Sequence, residues 1–466
     1  MKQNKKMGFW TVLALTLTAT IGSSVIISFS SVFGSVGSNP LLMIIAWVVG
    51  GLIILPETFL MVEPAISFKE NGTNYSWLKR SNWKIMAFWF GWVLTLFVSA
   101  SAIATSSLAL SSITAALLKI DNIYFIKFFA IAILAVIGLT QIFIRNSSQV
   151  TQFVFLVIKS LPIILILILA VIFGTSDNLL NGKNMTQDLT KIYMSSLMLI
   201  PAITLTSFAY SGTEVPTYVA GEIDKPEKTI PKSILIGVAV VIVVYLVYIV
   251  AILSIAKNSS ELEQSGISGF SAIPNWVKIM FNVLAILLFA GSINSFLLYQ
   301  SRLVYKMAEE KDLHNVFLKT NKFSSQPYLS MLLLMLVAVF YIVFNQIIEL
   351  LNYFALTVSL LKVLMITNVI NLRKKDESYI KIYKPWVFWT FVVFGYLTCF
   401  LTLAGSIINL VSIVKVAGIV EIWKPLVMIS IILLIFPVGY LKFYLQNKLA
   451  NKSKEESENK IEEKKL

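Results

Sequence analysis

Apolar runs of about 20 residues recur from Phe9 almost to Gln446, and each can cross a hydrocarbon core ~30 Å thick as a helix rising about 1.5 Å per residue. Lipid offers backbone N–H and C=O groups no partners, so such segments must satisfy them internally as helices. Only 13% of the 466 residues are charged and 57% are hydrophobic, whereas a water-soluble domain carries roughly a quarter charged residues. Lipid is therefore the solvent for most of this chain, and the expected fold is an all-α membrane protein.

Twelve spans are expected, over 9–33, 40–64, 85–118, 123–144, 150–174, 192–220, 233–256, 274–308, 328–344, 347–372, 385–413 and 425–445. The even number puts both termini on one side. With those near span ends counted on the adjacent side, 28 of the 38 Lys and Arg residues fall on that side and 8 on the other, and Lys159 and Lys362 lie deeper inside spans. The bias predicts that both termini are cytoplasmic. The net charge of +14 then reflects topology and contact with anionic membrane lipid, not nucleic-acid binding.

The charged start, 1–8, resembles a signal-peptide head, but the apolar stretch behind it is too long and lacks a small-residue cleavage site. It reads as a cytoplasmic tail leading into a retained first helix. The segment 447–466, rich in Lys, Glu and Ser, reads as a disordered cytoplasmic tail or as a solvated helix of alternating charge. A single cysteine, Cys399, and a single histidine, His314, exclude an internal disulfide and a Cys or His metal cluster. No cofactor and no metal site are expected.

Two spans are interrupted. Thr16, Thr18, Thr20, Gly22, Ser23, Ser24 and Ser28 break the first apolar run, and Gly212, Glu214 and Pro216 stand in the sixth where a plain anchor would have Leu or Ile. One reading is a tight helix interface of small residues. The other is a pair of discontinuous helices, because the breaks fall in the first span of one group of five, 9–174, and the first span of the next, 192–372, ahead of two last helices in 385–446. Inverted repeats place their discontinuous helices in this way around a site near the bilayer midplane. An unwound helix end offers free N–H groups to a carboxylate and free C=O groups to an ammonium, so a zwitterion can be captured without any catalytic side chain.

The residues around the second break resemble the sixth-helix signature of the amino acid–polyamine–organocation (APC) permease superfamily. They run from Phe208 through Gly212-Thr-Glu214, Ala220-Gly-Glu222 and the Asp224-Lys-Pro226 turn to Ile230-Pro-Lys-Ser233. Further segments agree in order: Glu63 followed by Gly72, Tyr75 and Trp77; Lys159 with Pro162; and Arg302, Tyr305 and Ala308 at the end of the eighth span. The resemblance covers 9–446 and leans, around the second and third helices, toward the glutamate:GABA antiporter branch.

It implies a LeuT-like fold of two inverted five-helix repeats and secondary transport of an amino acid or related amine by alternating access, as antiport or proton-coupled symport. The expected location is the plasma membrane of a bacterium, a source also suggested by the preference for Lys over Arg. The resemblance further implies that N–H groups at Gly22, Ser23 and Ser24, with Thr20 beside them, receive a substrate carboxylate. Carbonyls of Phe208 and Ser211, in the stretch unwound at Gly212, would receive the ammonium, the Phe208 ring would close over the substrate, and Phe296 would form a wall or gate. Where the superfamily has Gly-x-Gly in its first helix, this chain has Gly22-Ser23-Ser24, so a side chain stands at the second close approach.

Lys159 lies 14 residues beyond Arg145, about 21 Å along a helix, a long reach for snorkelling to the inner surface. The resemblance makes it a built-in substitute for the sodium ion that bridges helices one and eight in sodium-coupled relatives, so no sodium is expected and protons are a possible partner. Glu214 is either a proton-sensitive latch or a carboxylate that caps the restarting helix. Lys362 either snorkels or pairs with a neighbour, or else meets an anionic substrate or acidic partner; Glu57 has no assignment, and Glu63 reads as an anchor at the inner interface. A non-transporting nutrient sensor of the same fold is the alternative function. An intramembrane enzyme is disfavoured, because the chain lacks a set of clustered acids, bases or metal ligands.

Overall fold

The computed structural model describes residues 6–37, 39–68, 73–143, 148–176, 198–258, 261–262, 269–322, 324, 326–417 and 423–463. Among them, eight helices are long and apolar enough to cross a membrane, or nine when a first pair bent by 50° counts as one span. That pair is α1 (Phe9–Thr20) and α2 (Ser24–Ser35), the first predicted break. The second span is assembled from α3 (Pro40–Leu52), α4 (Leu55–Leu60) and α5 (Val62–Phe68). Its start is written in the sequence: the Asn39 side chain accepts from the N–H groups of Leu41 and Leu42 at 3.0 and 3.2 Å, and Pro40 needs no partner at the first position.

A short helix, α6 (Thr73–Arg80), leads to the third span, α7 (Lys84–Val93) and α8 (Ala100–Leu118), joined by a π-helical turn over Leu94–Ser99. There the Ser99 hydroxyl reaches back five residues to the Leu94 carbonyl at 2.9 Å. Next come α9 (Ile123–Phe143) and α10 (Ser148–Phe173). The sixth predicted span begins at 192, but 192–197 lies outside the described residues; its described part is α11 (Leu199–Tyr210), a break, and the four-residue α12 (Val215–Tyr218). The chain continues through α13 (Pro226–Ile255), α14 (Asn275–Glu309), α15 (Tyr328–Phe344), α16 (Ile347–Lys375), α17 (Pro385–Ala417) and α18 (Trp423–Glu463). The backbone of α18 is helical to Glu463, beyond the expected end of the twelfth span at 445.

The fifth, sixth and ninth predicted spans correspond to shorter apolar helices, Lys159–Phe173, Leu199–Tyr210 and Tyr328–Phe344. The protein is thus an all-α, multi-pass membrane protein. Helix α11 is central: it packs against α2, α3 and α17, while α8 packs against α14, α15 and α16. Small residues permit the close approach. A β-carbon on Gly50 would sit 1.8 Å from the Thr206 hydroxyl, and one on Gly405 would sit 2.0 Å from that of Thr204.

Two ionic clusters fasten the ends of these helices. Glu63, fully buried, pairs with Arg373 and accepts from the N–H groups of Ile382 and Tyr383 at 3.0 and 2.9 Å, tying the second span to the chain after α16. Asp312 accepts from Lys79 at 2.7 Å, Lys442 at 3.0 Å and the Tyr75 hydroxyl at 2.6 Å. Burial and the facing Asp312 carboxylate push the Tyr75 phenol up, so it remains a donor.

Candidate functional site

The first break is built from residues that end one helix and start another. Ile21 leaves the helical region at φ −72°, ψ 112°, closing α1, and α2 restarts at Ser24. The N–H groups of Gly22, Ser23 and Ser24 have no backbone carbonyl partner among the described residues. The Gly22 N–H faces the Tyr245 hydroxyl, and those of Ser23 and Ser24 lie at the positively polarised end of α2. A β-carbon on Gly22 would meet nothing within 4 Å, so space lies beside it. The Ser23 hydroxyl donates to Ser292 on α14 at 2.9 Å, and the Ser24 hydroxyl to the Ala209 carbonyl at 3.3 Å. Thr20 bonds back to the Thr16 carbonyl at 2.9 Å, which spends its hydroxyl on its own helix.

The second break is complementary. Ser211 is extended at φ −61°, ψ 136°, and Gly212 takes φ 111°, a region that only glycine visits readily. Ser211 is exposed although its neighbours Tyr210 and Thr213 are buried. Glu214 turns back on the break: its Oε2 accepts the Gly212 N–H at 3.0 Å, and its Oε1 faces the Tyr218 hydroxyl at 3.5 Å. This is backbone capping, displaced from the restarting helix to the residue that unwinds the preceding one.

The breaks meet. A β-carbon on Gly212 would lie 2.6 Å from the Ala19 carbonyl oxygen. Tyr245 on α13 joins them from a third side, its buried hydroxyl sharing its one hydrogen between the Thr20 carbonyl at 2.9 Å and the Ala209 carbonyl at 3.0 Å. Thr20, Gly22, Ser23, Ser24, Ser211, Gly212 and Glu214 are thus brought to one locality.

Phe208 is buried on the same stretch, and its ring meets Phe354 of α16 edge to face, centroids 4.9 Å apart. Phe296 is half-buried on α14, one turn past the Ser292 that meets Ser23, and makes no ring contact with Phe208 among the described residues. Lys159, half-buried on α10, has no hydrogen bond or ion pair to another described residue; the link between first and eighth spans runs through Ser23 and Ser292.

Three residues escaped the sequence reading: Tyr245, Ser292 and Phe354. A tyrosine inside an apolar span must find a partner for its hydroxyl, which marks Tyr245 without naming that partner. Nothing local distinguishes Ser292 or Phe354. Of the intramembrane ions left unassigned, Glu57 and Lys362 pair with each other at 2.5 Å. No group of three or more His, Cys, Asp and Glu fit to hold a metal occurs among the described residues.

Residues 7–447 match the amino acid permease family model. The chain is 27% identical over 410 residues to solute carrier family 7 member 13 of Mus musculus, covering 84% of this chain and 82% of that protein. It is 28% identical over 314 residues to the amino-acid permease RocE of Bacillus subtilis (strain 168), covering 65% of each. Against the serine/threonine exchanger SteT of the same organism it is 24% identical over 244 residues, covering 51% and 52%. Broken helices joined through their backbones in a multi-pass membrane protein, and a family match across nearly the whole chain, lead to one conclusion: the chain belongs to the amino acid permease family, a class of transporters within the APC superfamily.

Proposed function

We propose that this protein is a sodium-independent amino acid carrier that works by alternating access and exchanges one amino acid for another. The observation that carries this reading is the juxtaposition of the two helix breaks. The N–H groups of Gly22, Ser23 and Ser24, which no backbone carbonyl among the described residues accepts, suit a carboxylate. Tyr245 occupies the Thr20 and Ala209 carbonyls, so the substrate ammonium goes to the neighbouring carbonyls of Phe208 and Ser211. Phe208, backed by Phe354, and Phe296 then form the walls around the side chain.

Membership in a transporter family favours transport over sensing, and the exchanger among the relatives favours antiport. Twelve spans in two inverted repeats, with both termini cytoplasmic, complete this picture, and the bias of basic residues supports the orientation. Lys159, with no partner among the described residues, supplies the cationic group that sodium would otherwise provide between the first and eighth spans. The lean toward the glutamate:GABA antiporter branch rests on the second and third helices alone.

Radiolabelled uptake into proteoliposomes preloaded with unlabelled amino acids tests this reading. Saturable uptake that needs internal substrate and ignores sodium is expected. No saturable flux of any amino acid or amine would overturn it.

A further inference from the structure

Glu57 on α4 and Lys362 on α16 form an ion pair of 2.5 Å between two helices expected to cross the membrane. Their side chains are 9% and 25% exposed, respectively. Charges in such a setting are costly and are retained where they have a task. The pair does not stand alone. Glu214, the carboxylate that holds the Gly212 N–H, lies close enough to act electrostatically on both members. Tyr218 faces Glu214 and feels Glu57, and Cys399 on α17 faces both Glu57 and Lys362.

Among the described residues, these are the ionisable groups that face the pair from its packed neighbours. A phenol and a thiol in their ordinary ranges are neutral at physiological pH. Two carboxylates therefore share one ammonium, leaving one negative charge in excess. Such a set accepts one proton most readily, because protonation removes a repulsion while leaving one complete ion pair.

We propose that Glu57, paired with Lys362 and facing Glu214, is a proton-binding position that couples proton movement to the break in the sixth span. With the proton absent, Glu57 holds Lys362 and the Glu214 side chain stays on the Gly212 N–H. With the proton on Glu57, Lys362 is released to pair with Glu214, and the tie at Gly212 loosens. Glu57 and Lys362 touch no substrate here; they act through Glu214. The inference rests on the transporter reading above.

The test uses the full-length protein in proteoliposomes with an internal pH-sensitive dye, measuring substrate exchange and proton movement together. The doubly neutral variant Glu57→Gln with Lys362→Gln avoids an unpaired buried charge, and its melting temperature in detergent is compared with that of the wild type. Proton movement accompanying amino acid exchange is expected in the wild type and lost in the variant, whose exchange persists but no longer varies with pH. Unchanged proton movement or an unchanged pH profile in a folded variant overturns the proposal, as does a wild type that exchanges amino acids without moving protons. The single variant Glu57→Asp, which keeps the charge, is expected to restore the pH profile, and its failure to do so also counts against the proposal. If the wild type exchanges nothing, the transporter reading itself has failed, a distinct result.

Discussion

Gly212 sits against Ala19 so closely that any side chain on it would enter the Ala19 carbonyl, a β-carbon lying 2.6 Å from that oxygen. The same residue holds φ 111°. Conformation and proximity thus both demand glycine, and the contact makes each broken helix a wall for the other.

Gly212→Ala is accordingly expected to cost about 1–2 kcal/mol from backbone strain alone, with further loss from the clash. Transport should fall with it, because the breaks must separate for the β-carbon to fit. Melting temperature in detergent and initial uptake rate check both effects.

Tyr245→Phe removes the donor that serves the Thr20 and Ala209 carbonyls while leaving the ring in place. The Ala209 carbonyl keeps the Ser24 hydroxyl, whereas the buried Thr20 carbonyl loses its donor, which costs about 1–3 kcal/mol. The Thr20 carbonyl becomes free to compete for the substrate ammonium, so KM should move more than the maximal rate. Concentration dependence of uptake measures the split.

Sequence alone reached the all-α membrane fold, because twenty-residue apolar runs in lipid admit one structure. It also located both breaks, since Gly22 and Gly212 lie within polar stretches that an anchor would not carry. It could not show that the breaks touch, because that contact depends on the packing of α1, α11 and α13. Tyr245 was invisible for the same reason: its hydroxyl bonds carbonyls 225 and 36 residues away. Glu57 and Lys362 each stood out as intramembrane ions, but only the geometry makes them a pair. Lys159 is the reverse case, conspicuous in sequence and without a partner among the described residues.

Lys159→Gln tests whether that cation stands in for sodium. The expected result is loss of transport, or a changed pH profile, with little change in thermal stability, since no ion pair to a described residue is broken. Transport at the wild-type rate and pH profile would remove Lys159 from the mechanism.

Glu63 offers a contrast in which charge serves structure. Glu63→Gln leaves Arg373 without its buried carboxylate partner and weakens the bonds to Ile382 and Tyr383. A loss of about 3–5 kcal/mol is expected, as for breaking buried ion pairs in general. Thermal unfolding of the detergent-solubilised protein measures it, and the double variant Glu63→Gln with Arg373→Met should recover part of the loss.

The most direct test of the central claim is counterflow in sodium-free proteoliposomes, comparing the wild type with Gly212→Ala. The account predicts saturable accumulation of labelled amino acid driven by unlabelled internal substrate in the wild type, and its loss in the variant. Accumulation that survives in Gly212→Ala at the wild-type rate would contradict a substrate site formed where the two broken helices meet.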